Sequence, residues 1–157
     1  MEKVIVGVGF LMFTSERVPR LFVVKELNDK PAISKGRGML SFPLETMKES
    51  DGGVVENTIG RLIEEEIGAD QSLVKILGVE QCRFKLIPGR DDVETVYGYG
   101  LFLGNPEHKF SPSDTDISFA GWHTPTEVLR RFTRVETAPI LKHFRKNHFR
   151  KVVQAIV

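Results

Sequence analysis

From Val4 to Phe13 apolar residues fill both sides of a period-two pattern, with Val4, Val6, Val8 and Phe10 on one side and Ile5, Gly7, Gly9 and Leu11 on the other. A run that is apolar on both sides predicts a central strand buried on both faces. The turn-like stretch Thr14 to Pro19 separates it from a second short strand, Arg20 to Lys25, which stops at Asn28-Asp29-Lys30-Pro31, and a hairpin is predicted. Met39 to Phe42 predicts another short strand ended by Pro43, and Glu49 to Gly53 a loop leading into a helix.

That helix is predicted from Val54 to Ile67, where Val55, Ile59, Leu62, Ile63 and Ile67 recur at helical spacing and Gly68 provides the stop. Further strands are predicted at Val74 to Arg83, Thr95 to Leu103 and Ile117 to Trp122, with turns at Pro88 to Asp92 and Gly104 to Pro106. Thr124-Pro-Thr-Glu127 opens a short helix, with Thr124 as cap and Pro125 at its first position. A last helix is predicted from Ala138 to Ala155. Strands around one acidic helix, with helices late in the chain, predict an α+β fold: a mixed β-sheet between helical layers. Residues 1–157 are expected to form one domain, because this length leaves little room for a second core.

Lys and Arg number 22 against 21 Asp and Glu, a net charge of +1, which argues against a surface built to attract a polyanion. Nucleic acid is therefore not the expected partner. The single Cys82 can form no internal disulfide, and no Cys/His cluster has zinc spacing, so a reducing, cytoplasmic setting is expected. The first apolar run is far shorter than the roughly 20 residues of a membrane span, and no membrane association is expected.

The chemistry concentrates at Arg61-Leu-Ile-Glu-Glu-Glu-Ile-Gly68. Three glutamates in a last helical turn face the negative end of the helix dipole, a cost of roughly 0.3–1 kcal/mol that stability alone would not favour. The segment resembles the core of the box of Nudix (MutT-like) hydrolases, Arg-Glu-apolar-x-Glu-Glu-x-Gly, with Arg61, Ile63, Glu65, Glu66 and Gly68 matching. The order of elements along nearly the whole chain, including Trp122 at a strand end before a short helix, is also similar to that family. The resemblance implies an α/β/α sandwich and a Mg2+- or Mn2+-dependent hydrolase of nucleoside diphosphates linked to another moiety. Its pattern places three carboxylates at i, i+3 and i+4 on one helix face, where hard oxygen ligands converge on the cation.

The first half of the box departs from the pattern. Leu62 stands where the first carboxylate is expected, and Glu64, two residues on and about 200° around a helix, cannot replace it. The acid expected eight positions before Arg61 falls at Gly53, and the opening glycine at Met47. Phe42-Pro-Leu-Glu-Thr46 resembles the family's glycine loop with Leu44 and Glu45 in place of glycines. Glu45 either supplies the lost oxygen ligand or repels the diphosphate.

The resemblance thus implies Glu65 and Glu66 as metal ligands and Glu65 with Arg61 as the catalytic pair, Arg61 orienting a carboxylate one turn away; Glu45, a departure from the pattern, is the candidate for the lost metal ligand. Glu94, Asp114 and Asp116 near strand ends are further candidate ligands or bases, each also readable as an exposed charge. The basic stretch Lys142, Arg145, Lys146, Arg150 and Lys151 is read as the solvated side of an amphipathic helix. His123, His143 and His148 have no nucleophile at a recognisable spacing, and Gly98 and Gly100 mark tight packing or a substrate's approach. The expected partner is a small nucleotide derivative, with a homodimer allowed for. The alternative function is a Nudix-fold module that binds nucleotide or protein without turnover.

Overall fold

The computed structural model describes residues 3–156. The first apolar run forms β1 (Ile5–Thr14), followed by β2 (Leu21–Glu26), β3 (Leu40–Ser41) and β4 (Leu44–Thr46). Helix α1 (Val55–Leu62) leads to β5 (Val74–Phe84), β6 (Val93–Phe102) and β7 (Ile117–His123). The chain then closes with α2 (Pro125–Leu129), α3 (Thr137–Asn147) and α4 (Phe149–Ile156). The strands make one mixed sheet in the order β3-β2-β1-β6-β5, with β4 added on β1 and β7 on β2.

β1 is the predicted central strand. It runs parallel to β6 over its whole length, from Ile5 beside Val93 to Thr14 beside Phe102. Its alternation serves two cores: Val8, Phe10 and Met12 pack with Ile59, Leu62, Ile63 and Ile67 from the α1 side. Leu11 and Phe13 pack with Tyr97, Tyr99, Ile140, Leu141, Phe144 and Val152 from the α3–α4 side. Helices thus cover both faces, the expected α/β/α arrangement. Gly98 is a packing glycine, since a Cβ there would lie 2.6 Å from Ile59 Cδ1 and force that side chain to shift.

Two strands share one edge of β1. Its far end pairs with β2 through Phe13 and Leu21, whereas Gly7, Val8 and Gly9 pair with Thr46, Glu45 and Leu44 of β4. Beyond that point β2 turns to β3 and β7 instead. β4, which carries Glu45, was expected as a loop; pairing across some 35 residues of sequence leaves no local signal.

Two predicted helices change form. The helix expected over Val54 to Ile67 is α-helical only to Leu62, and Ile63–Ile67 forms a π turn closed by Gly68 N–H donating to the Ile63 carbonyl at 3.0 Å. The single helix expected over Ala138 to Ala155 is two, broken at His148, whose backbone (φ −134°) leaves the helical region. The His148 ring is held there by Glu80 Oε1 at 2.8 Å from Nε2 and by the Tyr99 hydroxyl at 3.2 Å from Nδ1, contacts that a continuous pattern of apolar residues cannot announce. The Thr124 cap is as read: its hydroxyl accepts the Glu127 N–H, and the Glu127 carboxylate accepts in return from Thr124 N–H. Among the described residues no helix is long and apolar enough to cross a membrane.

Candidate functional site

A cleft of about 290 Å3 lies beside the first half of β1, with Glu45 and Thr46 of β4, Glu66 of the π turn, and Asp114 and Asp116 of the segment before β7 on its walls. Lys30, Lys35, Arg90 and Arg134 line it as well. It therefore combines a carboxylate group with cations able to meet an anionic ligand.

The π turn sets the carboxylates. With its i+5 bonding the three glutamates do not keep the spacing of an α-helix: Glu66 is buried at 6% exposure, Glu65 is 42% exposed through its side chain, and Glu64 turns to accept from Gln71 Nε2 at 3.0 Å. The Glu65 carbonyl accepts from the backbone N–H groups of Ser113 and Asp114 at 2.9 and 3.1 Å, which docks the later segment against this turn. Gly68 permits that docking twice over. Its φ of +77° is left-handed, and a Cβ would lie 2.2 Å from the Ser111 carbonyl carbon.

The consequence is a Glu66 carboxyl beside Asp114. Burial first, then Asp114, then Glu45 push the Glu66 pKa up to about 10, so without a cation this carboxyl is neutral near pH 7. Glu45 is pushed upward too, by burial and then by Glu65. Oxygen donors alone, crowded enough to resist ionisation, are the donor set that suits a hard divalent cation, whose charge would restore the carboxylates.

Arg61 organises the other side. It donates from Nη2 and Nε to Asp51 at 2.6 and 3.2 Å, and from Nη2 to the Thr46 carbonyl at 3.0 Å. Its Nη1 makes no hydrogen bond but lies 3.4 Å from Glu45 Oε1 and 3.8 Å from Glu65 Oε2. The anticipated pairing with Glu65 is thus the longest of its contacts, and the main partner is Asp51, a residue the sequence reading did not select. Asp51 is held well below the usual carboxylate range by Arg61, then by the Lys48 N–H, with the Thr58 hydroxyl adding to both. An acid therefore does face Arg61, two residues earlier than the family spacing. Gly52 and Gly53, both at positive φ, take up the difference.

Leu62 is fully buried in the α1-side core, so no carboxylate stands at that position. Glu94 is engaged by Arg83 at 3.1 Å, and Asp116 by Lys30 at 2.9 Å and Asn28 at 2.8 Å, which leaves Asp114 as the one of the three strand-end acids set against Glu66. Sequence reading also missed the ionic floor of the cleft. Buried Arg134 lies 3.4 Å from Glu26 and 2.8 Å from Glu136, while Lys35 lies 3.1 Å from Glu26. Arg134 Nε and Glu136 Oε1 are left without partners. Trp122, as expected, ends a strand, packing among Phe22, Phe102, Phe110 and Phe119 and donating to the Pro106 carbonyl at 2.8 Å.

No protein-family model and no curated protein matches the chain. Solved structures do. The Nudix domain of Shewanella oneidensis NrtR, complexed with ADP ribose, superposes with a TM-score of 0.68 at 15% identity, over 93% of this chain and 89% of that one. A Nudix hydrolase from Nitrosomonas europaea gives 0.64 at 15% identity over 93% and 89%. A C. elegans Ap4A hydrolase in a binary complex gives 0.59 at 14% identity over 89% and 93%. With the later half of the box carried on the turn after α1 and its first half altered, the chain is a Nudix-fold protein.

Proposed function

We propose that the chain is a divalent-cation-dependent hydrolase that cleaves a phosphoanhydride in a nucleoside diphosphate linked to another moiety. One observation carries this reading: Glu45, Glu66 and Asp114, from three separate elements, line one cleft with Lys30, Lys35 and Arg90, and Glu65 stands against Glu45 beside it. The similarity to the ADP-ribose-complexed domain and to the Ap4A hydrolase supports it.

Glu45, Glu66 and Asp114 would hold Mg2+ or Mn2+, with Glu65 at the rim. Such an ion would neutralise phosphate charge and lower the pKa of a bound water. Arg61, pinned by Asp51 and Thr46, fixes the carboxylates of Glu45 and Glu65 rather than touching the ligand. Glu65, whose side chain is 42% exposed, would take the proton of the attacking water. Lys30, Lys35 and Arg90 would bind the phosphate oxygens and fix the leaving group. A net charge of +1 with cations gathered at this cleft supports a small anionic partner rather than a nucleic acid, and a single exposed cysteine supports a cytoplasmic setting. The two cores packed on one sheet support reading the described residues 3–156 as one domain.

The test is a panel of nucleoside diphosphate derivatives with Mg2+ and Mn2+, read by chromatography for the nucleoside monophosphate, on wild type and Glu66→Gln. Metal-dependent product from wild type alone is expected; no product from any compound overturns the reading. Buried Leu62 favours a second reading, a binding module without turnover. It predicts thermal stabilisation by ADP-ribose that persists in Glu65→Gln.

A further inference from the structure

A second donor cluster lies on the α3–α4 side of the sheet. Glu80 of the edge strand β5, His143 of α3 and His148 at the α3–α4 break each offer one ligand atom, all within 4.8 Å of one another. None of the three lines the cleft. We propose that Glu80, His143 and His148 form a site for a borderline divalent cation such as Zn2+, which ties the C-terminal helices to the edge of the sheet.

Geometry carries the proposal. Tetrahedral zinc with nitrogen and oxygen ligands at roughly 2.0–2.2 Å needs ligand atoms about 3.3 Å apart. Glu80 Oε1 lies 2.8 Å from His148 Nε2 and 3.9 Å from His143 Nδ1, distances on either side of that value. Both differ from it by about half an ångström, and every pair of the three ligand atoms lies within 4.8 Å. The three side chains are 13–27% exposed, so the cluster is partly desolvated and still open to an entering ion and a water as fourth ligand.

The surroundings supply outer partners. The Tyr99 hydroxyl lies 3.2 Å from His148 Nδ1, the ring nitrogen turned away from Glu80, whereas the Tyr97 hydroxyl, 2.7 Å from His143 Nδ1, occupies the nitrogen that the ion would take. The Cys82 N–H donates to the second Glu80 oxygen at 2.9 Å and keeps that carboxylate ionised, as the histidines do. Two imidazoles with one carboxylate select zinc, nickel or cobalt over magnesium, which favours oxygen alone.

The proton changes can be followed. Glu80 can only accept, and Lys151, whose ammonium lies 3.3 Å from His148 Nδ1, can only donate, so the His148 ring presents its Nε2 proton to Glu80. A cation on Nε2 takes that proton's place. The proton moves to Nδ1 and is donated to the Tyr99 oxygen, and Lys151 gives up its bond to the ring. Tyr97 similarly releases His143 Nδ1 to the ion. Lys151 is therefore a brake on binding, and Tyr99 a positioning residue.

Calorimetry with Zn2+ in an excess of Mg2+, which covers the carboxylate cleft, tests this on the full chain. One ion per chain is expected, with Glu80→Gln and His148→Gln each weakening binding at least tenfold, Tyr99→Phe about tenfold, and Lys151→Gln tightening it. His143→Gln gives a second ligand variant that leaves the helix break untouched, and far-UV circular dichroism checks that each variant folds. Cobalt should give the strong visible band of tetrahedral coordination, lost in the same variants. Absence of binding, or binding unchanged by Glu80→Gln and His143→Gln, overturns the proposal; so does binding that disappears with Cys82→Ser or Glu66→Gln. The site does not depend on the hydrolase reading, and a chain that binds Zn2+ here without turning over nucleotides would keep this inference while ending that one.

Discussion

Glu66 and Asp114, 48 positions apart in the sequence, face one another because the N–H groups of Ser113 and Asp114 both donate to the Glu65 carbonyl. The backbone contact fixes the side-chain contact. Two carboxyls so placed, one of them buried, are costly to ionise until a cation arrives.

This pair sets a pH dependence of stability. The Glu66 pKa is raised from its ordinary value of 4.5 to about 10, so its stabilising contribution is complete below pH 4.5 and is lost as pH rises toward 10. Without divalent cation, stability should fall as pH rises across neutral pH, by on the order of 1 kcal/mol per pH unit from this group. Glu45, shifted in the same direction, adds to the slope. Urea unfolding at pH 6, 7 and 8 checks this: Glu66→Gln should flatten the slope, and saturating Mg2+ should flatten it in wild type.

The Asp51–Arg61 pair makes the opposite prediction. Asp51 is 4% exposed and held below the usual carboxylate range, so its contribution is present above about pH 4 and is lost only in acid as pH falls through its folded value. Asp51→Ala removes the main partner and leaves the guanidinium facing Glu45, Glu65 and the Thr46 carbonyl. Because Arg61 keeps about a fifth of its side chain in water, the expected loss is about 3 kcal/mol, near the lower end for a broken buried pair. Thermal unfolding at pH 7 measures it. Arg61→Lys should recover little, since one ammonium cannot reproduce the two-point contact.

Local signals made part of this readable. The two-sided apolar run of β1, the Thr124 cap and Gly68 are each encoded within a few residues, and Arg61 to Gly68 carries its own spacing. Asp51 was not readable, because Gly52 and Gly53 move it off the family spacing and only the folded chain shows it opposite Arg61. Nor was β4, whose partner is β1, nor the choice of Asp114 over Asp116 and Glu94, which depends on which acids already have cationic partners. The π turn escaped for another reason: Ile63, Ile67 and Gly68 suit an α-helical end equally well, and the docking of Ser113 and Asp114 comes from a distant segment.

Gly68→Ala tests that docking. The left-handed backbone costs an alanine about 1–2 kcal/mol and the clash with Ser111 a further 1–3 kcal/mol, so a loss of about 3 kcal/mol is expected. Displacing the segment also draws Asp114 from Glu66. Mg2+ affinity by calorimetry should therefore fall at least tenfold in this variant, although no carboxylate has been removed.

The most direct test of the central claim is the formation of nucleoside monophosphate from ADP-ribose, then from a wider panel, by wild type and Glu66→Gln in Mg2+ and Mn2+. The account predicts metal-dependent product from wild type, falling at least a hundredfold in the variant. No product from wild type with any compound, while ADP-ribose still raises its melting temperature, would contradict it and leave a cleft that binds without cleaving.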